Sequence, residues 1–388
     1  MQERYIAEPQ PESFVTLMTA LNLPDPRSME RAAFVDGLFA MSSDAKVELR
    51  ELGNLFKAQE QMLAHRRETS PVTAVEPTMP KTFERYALTK AEVTRDGVFV
   101  LLPATQGELV DISDAHGNRP VIQAAIERFL ADPHNHFVSR GDNVNSKDVP
   151  YRDQIAALKA MIKLQLIYPE RVHLLQGNNE VDIAPSMGYG DAHYYGVDDD
   201  KALFQLKRSE RVFKQWPLLL ATANGLVGVH GNLPVFSDKN ELEENPPPSP
   251  VNNFQELQLS LAHSARARFR LTWGEKSKAK GPESKGVLDD VTPHSFGGLS
   301  YIGEQGVLKA IDAIGASVEI VGHQHSYARL YGEPEGHPSY AITHGSRVAT
   351  MVSLPMGELK QGSFAVIPLW KPLKQWEDPM FHTVQYKK

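Results

Sequence analysis

Five short apolar runs in this chain each stop at a glycine set beside a carboxylate, an amide or an imidazole. The first, Leu109-Val110-Asp111-Ile112, reads as a buried strand and gives way at Ser113 to Asp114-Ala115-His116-Gly117, where the chain must turn. An aspartate and a histidine so close in sequence can converge on one point at a strand's C-terminal end, the place where sites gather on α/β scaffolds. The texture returns at Arg140-Gly141-Asp142-Asn143-Val144-Asn145, past the run ending in Phe137-Val138. It returns again at Gln176-Gly177-Asn178-Asn179-Glu180, at His230-Gly231-Asn232 and at Gly322-His323-Gln324-His325, each directly after a β-branched run. One strand-terminal His or Asp is more often a cap or a surface residue, but five such sets together favour a metal centre.

The donor types narrow the metal. Two aspartates, an asparagine, several histidines and no thiolate suit a pair of divalent first-row ions such as Mn, Fe or Zn better than calcium or a structural zinc. A shared carboxylate can hold two ions roughly 3.5 to 4 Å apart, the spacing used in phosphoryl chemistry, and Asp142 is the candidate bridge. The chain has no cysteine, which removes disulfides, thiolate zinc sites and a cysteine nucleophile.

At 388 residues and a formal charge of -7, the chain can bury a sizeable core and does not read as a dedicated nucleic-acid or anionic-membrane binder. It contains no apolar run long enough for a membrane span, and its start shows no export signal of the usual kind, so cytoplasmic residence is expected. Residues 1–68 read as a helical block. Phe14, Leu17, Met18 and Leu21 fall at helical spacing, and a long amphipathic helix is expected after Ser43 as N-cap, with Gly53 its weak point. This block reads as a packing appendage ahead of a partner-binding module. Residues 69–97 begin with a proline-rich stretch and read as a linker. From Val98 strands alternate with helices, as in a layered α/β core, and this domain is expected to end near 355, leaving 356–388 as a C-terminal extension.

In combination these motifs resemble those of the phosphoprotein phosphatases within the calcineurin-like metallophosphoesterases. The family pattern of Gly-Asp-x-His-Gly, Gly-Asp-x-Val-Asp-Arg-Gly, Gly-Asn-His-Glu, His-Gly and a late histidine is met by Asp114 to Gly117, Gly141 to Val144, Gly177 to Glu180, His230-Gly231 and Gly322-His323. The resemblance runs from about Glu108 to Val352. It implies an α/β fold, a layered β-sandwich flanked by helices, with the N-terminal helices as an appendage. It also implies two divalent metal ions, the first on Asp114, His116 and Asp142 and the second on Asp142, Asn178, His230 and His323. His325 matches the Gly-His-x-His ending of other metallophosphoesterases and is a further candidate ligand. The implied reaction is attack of a metal-bound hydroxide on a phosphomonoester, with a phosphorylated protein as substrate.

The departures are as informative. Asn145 and Asn179 stand where the family has an acid paired with a histidine that protonates the leaving group, and an asparagine has no useful pKa for that task. Ser146 and Gly297 stand where phosphate-binding arginines are expected, leaving Arg140, Lys147 and Arg347 as candidate substitutes. A chain without the proton donor is expected to favour good leaving groups, as in phosphotyrosine or aryl phosphates. Two other readings stay open: a phosphodiesterase or nucleotide phosphatase of the wider superfamily, and a pseudophosphatase that binds partners through its N-terminal helices.

Overall fold

The computed structural model describes residues 21, 23–70, 90–103, 106–144, 149–180, 209–234, 236–237, 249–273, 288–293, 300–324, 339–353 and 361–385. The helix expected around Phe14 to Met18, most of the proline-rich linker, and Asn145, Ser146, Lys147, Gly297 and His325 lie outside the described residues.

Helices α1 (Arg31–Leu38) and α2 (Ala45–Thr69) lead into strands β1 (Glu92–Val93), β2 (Phe99–Leu102) and β3 (Glu108–Ile112). There follow α3 (Arg119–Phe129), β4 (His136–Ser139), α4 (Tyr151–Ile167) and β5 (Val172–Leu174). Next come β6 (Leu219–Thr222), β7 (Leu226–Val229), the short pair β8 (Phe236–Ser237) and β9 (Ser249–Pro250), and helices α5 (Phe254–His263) and α6 (Ala265–Trp273). The pair β10 (Leu288–Pro293) and β11 (Ser300–Ile302) precedes α7 (Glu304–Ala313) and β12 (Val318–Val321). The chain closes with β13 (Tyr340–Thr343), β14 (Val348–Met351), β15 (Gln361–Pro368) and β16 (Phe381–Gln385).

Two sheets are stacked between helices. One has the order β1-β2-β6-β7-β12-β14-β13 and the other β16-β15-β3-β4-β5. Strand periodicity explains the layering, because successive side chains leave opposite faces of a strand and here both faces are covered. In β2, Val100 and Leu102 join Leu109, Val138, Ile320 and Ile367 between the sheets, whereas Phe99 and Leu101 pack with Phe254, Leu257 and Ile311 on the outer face. In β3, Val110 and Ile112 turn outward onto Ile122, Ile126 and Met161 of α3 and α4. The result is a helix–sheet–sheet–helix sandwich, as the resemblance implied.

β3, β4 and β5 run parallel, so they end on the same edge of their sheet. β7 and β12 are likewise parallel in the other sheet. The five strand ends singled out in the sequence therefore come from only two edges.

The N-terminal helices belong to this sandwich. Phe34, Val35 and Leu38 of α1 and Leu55 and Phe56 of α2 are buried in the same cluster as α3 and α4, each such side chain adding about 1.5 to 3 kcal/mol by removal from water. Their apolar faces are occupied by the core, and nothing in the packing supports a partner-binding role for them. The N-cap of α2 is Asp44, whose carboxylate accepts from the Lys46 and Val47 amides, rather than Ser43.

The boundaries expected at 97 and 355 are not structural ones. β1, inside the expected linker, pairs with β2. β15, inside the expected extension, lies antiparallel on β3 and supplies the neighbour without which that strand would be an open edge. No helix among the described residues is long and apolar enough to cross a membrane.

Candidate metal centre

Four of the six expected ligands have left-handed backbones, with φ of +51° at Asp114, +44° at His116, +54° at Asp142 and +56° at His323. For a residue with a Cβ this costs on the order of 1 to 3 kcal/mol and persists only where the surroundings enforce it. The enforcement is visible. The Asp114 amide donates to Gly141 O at 3.0 Å and the His116 amide to Asp142 O at 2.9 Å, lacing the turns after β3 and β4 together. The His323 amide donates to both Asp114 carboxylate oxygens, at 3.0 and 2.9 Å. Glycine is required where these turns touch: a Cβ at Gly322 would lie 2.0 Å from Ser113 Oγ and 2.1 Å from Asp114 Oδ2, and one at Gly177 would lie 2.3 Å from Asp142 Oδ1.

Glu180, not among the expected site residues, braces the centre. Its fully buried carboxylate accepts from the amides of Asp142, Asn143 and Gly177 at 2.8, 2.7 and 2.9 Å, binding the turn after β5 to that after β4. Burial and the Asp142 charge push its carboxyl up to about 7, against the pull of the Asn143 and Asp142 amides. The place of Glu180 inside the Gly-Asn-Asn-Glu motif was the only sign of it.

Two clusters result, and Asp142 belongs to both. Asp114, His116 and Asp142 bring ligand atoms within 4.8 Å of one another, as do Asp142, His230 and His323. Asn178 joins the second, its Oδ1 2.8 Å from His230 Nε2 and 3.0 Å from His323 Nδ1.

The residues present fit metal ions. His116 Nδ1 faces Val144 O at 2.8 Å and His230 Nδ1 faces Arg140 O at 3.0 Å. A carbonyl can only accept, so both Nδ1 atoms carry hydrogen and both rings turn Nε2 toward Asp142, the orientation of a metal-binding histidine held by an outer hydrogen bond. His230 Nε2 lies 2.8 Å from Asn178 Oδ1 and 3.3 Å from Asp142 Oδ1, two further acceptors. Burial alone would lower the His230 pKa, yet the Asp142 and Asp114 charges push it up to about 9. Burial alone would raise Asp142, yet His230 and His116 hold it below the ordinary carboxylate value. A divalent cation answers the same negative charge and displaces the same proton.

Of the expected phosphate ligands, Arg140 and Arg347 are corrected. Arg140 is fully buried, with Nε 2.8 and 2.9 Å from the two Asp111 oxygens and Nη1 donating to Val229 O at 3.1 Å, so its fork is turned into the sandwich. Arg347 donates to the carbonyls of Ser317 and Ala316 and pairs with Asp312 at 2.8 Å. Those groups precede β12, whereas His323 follows it, so Arg347 sits at the wrong end of the strand. Asn179 is at the centre, its amide nitrogens donating to Asp142.

A carboxylate shared between two His/Asp clusters, on the facing edges of a sandwich of this kind, defines a metallophosphoesterase. The calcineurin-like phosphoesterase family profile matches residues 110–327, and the chain belongs to that family. It is 22% identical over 269 residues to a protein of Encephalitozoon cuniculi named "Probable serine/threonine-protein phosphatase", a match covering 68% of this chain and 50% of the relative. The chain thus spans about half the length of that relative. Among solved structures it is similar to a protein serine/threonine phosphatase from Saccharomyces cerevisiae with similarity to human phosphatase PP5, with a TM-score of 0.54, 13% identity and coverage of 98% and 97% of the two chains. At that identity the likeness concerns the fold alone.

Proposed function

We propose that this chain hydrolyses phosphomonoesters on protein side chains, using two divalent ions, Mn, Fe or Zn, held by Asp114, His116, Asp142, Asn178, His230 and His323. The observation that carries this reading is the position of Asp142 in both clusters, with His116 and His230 each fixed by a carbonyl so that Nε2 faces it. When bound, such ions bring the pKa of water toward neutrality and stabilise negative charge on a transferring phosphoryl group. The protein's own contribution is orientation: the laced turns hold the donors in place before any substrate arrives. The name of the Encephalitozoon cuniculi relative supports a phosphorylated side chain as the substrate class.

Proton delivery is where this chain is expected to differ. Asn179 donates through both its backbone and side-chain amides to Asp142 and carries no acid. The leaving oxygen must then depart with less help, which favours phenolate over alkoxide and hence phosphotyrosine over phosphoserine.

The test is p-nitrophenyl phosphate hydrolysis by metal-stripped protein with Mn²⁺ restored, beside Asp142→Asn. Metal-dependent turnover lost in the variant is expected. Absence of turnover with metal demonstrably bound refutes catalysis and turns the reading to a pseudophosphatase.

A further inference from the structure

The two clusters differ in how they are assembled. Asp114, His116 and Asp142 follow β3 and β4, so all three ligands of the first cluster come from the five-stranded sheet. The second joins Asp142 and Asn178 from that sheet to His230 and His323, which follow β7 and β12 of the other. Its geometry depends on the spacing between the sheets. Arg140 spans that gap directly beneath it.

Arg140 is fully buried and reaches from the end of β4 across to β7. Its backbone carbonyl takes the Nδ1 hydrogen of His230, and its Nη1 donates to the carbonyl of Val229, the residue just before that histidine. Asp111 of β3 holds the guanidinium through Nε. Gly228 makes room, since a Cβ there would lie 3.2 Å from Arg140 Cδ. Arg140 therefore holds the His230 segment at two points, with its backbone carbonyl on the ring and its side chain on Val229, and ties it to the sheet that carries Asp142.

We propose that Arg140 is a positioning residue for the second metal cluster, setting His230 against Asp142 and Asn178 through the Asp111–Arg140–Val229 bridge between the sheets. This rests on the two-ion reading above. A planar guanidinium can satisfy a carboxylate and a carbonyl at fixed angles, which an ammonium on a flexible stem cannot. The first cluster takes no ligand from β7 or β12, the side of the gap that the bridge reaches across to.

The experiment is Mn²⁺ titration of the metal-stripped full chain by calorimetry, with bound metal counted after gel filtration. The variants are Arg140→Met and the double variant Asp111→Leu with Arg140→Met. The double variant matters because Arg140→Met alone strands a buried carboxylate and can unfold the protein, whereas removing both charges together is tolerated far better. Wild type is expected to bind two ions in distinguishable classes. The Arg140 carbonyl stays on His230 Nδ1 in both variants, so what they remove is the side-chain support of the segment. Folded variants are expected to keep one class within about twofold and to lose about tenfold in the other, the low end of the cost of removing outer support from a ligand. Two classes unchanged in the double variant, or both weakened alike, overturn the assignment. Wild type that binds fewer than two ions refutes the two-ion reading, and the inference with it.

Discussion

Asn179 grips Asp142 at both carboxylate oxygens, its backbone amide donating to Oδ1 at 2.9 Å and its side-chain amide to Oδ2. The residue standing where a proton donor is expected is thus engaged with the shared ligand. An amide there can orient the carboxylate, and it has no proton to lend. The rate is expected to rise steeply as leaving-group pKa falls across a series of substituted aryl phosphates. Asn179→His is expected to flatten that dependence and to raise kcat/KM on alkyl phosphates by about 10- to 100-fold, within the range that general acid catalysis supplies. Equal cleavage of alkyl and aryl monoesters by the wild-type chain would remove the basis for this expectation.

The interior ion pairs of the N-terminal helices should matter more than surface ones. Lys159 of α4 is fully buried and donates to Glu48 and Glu51 of α2, the latter at 2.8 Å, while Lys163 meets Glu51 at 2.7 Å. Burial would raise the Glu51 carboxyl, but Lys159 and Lys163 together hold it below its usual value. Lys159→Met leaves Glu48, only 2% exposed, without its counter-ion, and is expected to cost about 3 to 5 kcal/mol. Adding Glu48→Gln should recover a large part of the loss. Urea denaturation of both variants measures it. A single variant as stable as wild type would mean that these helices are only loosely held.

What could be read in the sequence followed from where the chemistry lay. Leu226–Val229 and Val318–Val321 are strands as expected, their ends marked by His230-Gly231 and Gly322-His323. β6, β15 and β16 carry no such ends. In β15 all but the last residue are buried, so it shows no alternation of polar and apolar faces by which to find it. Arg140 was misread for a different reason. An arginine beside Gly-Asp looks like an exposed phosphate ligand until Asp111 is seen one strand away, and pairing between neighbouring strands leaves no mark in a single sequence. Asp111 itself was the available clue: a carboxylate inside an apolar run needs a buried partner.

The stability of the fold should depend on pH through two buried histidines that are not among the candidate ligands. His136 and His173 stack with ring centroids 6.0 Å apart, at the start of β4 and within β5. Burial, helped by the Arg171 and Arg66 charges, lowers His136 from 6.5 to about 4. Burial, the Arg66 charge and His136 itself put His173 well below its ordinary value. Both are therefore neutral in the folded protein at pH 7, and so are their counterparts in the unfolded chain, so neither affects stability there. Below about 6.5 the unfolded chain takes up protons that the folded one refuses, and stability falls as the pH drops toward 4. For His136 the full loss is about 3 kcal/mol. In metal-free protein the Glu180 and Asp111 carboxyls, raised by burial to about 7 and about 6, act in the opposite direction over this range, so the measurement is a difference. By chemical denaturation between pH 7 and 4.5, the slope of His173→Phe, which keeps an aromatic ring against His136, should differ from wild type by about one proton, the variant losing less stability on acidification. An unchanged slope in that variant would mean that His173 is protonated in the native state and that the burial argument fails there.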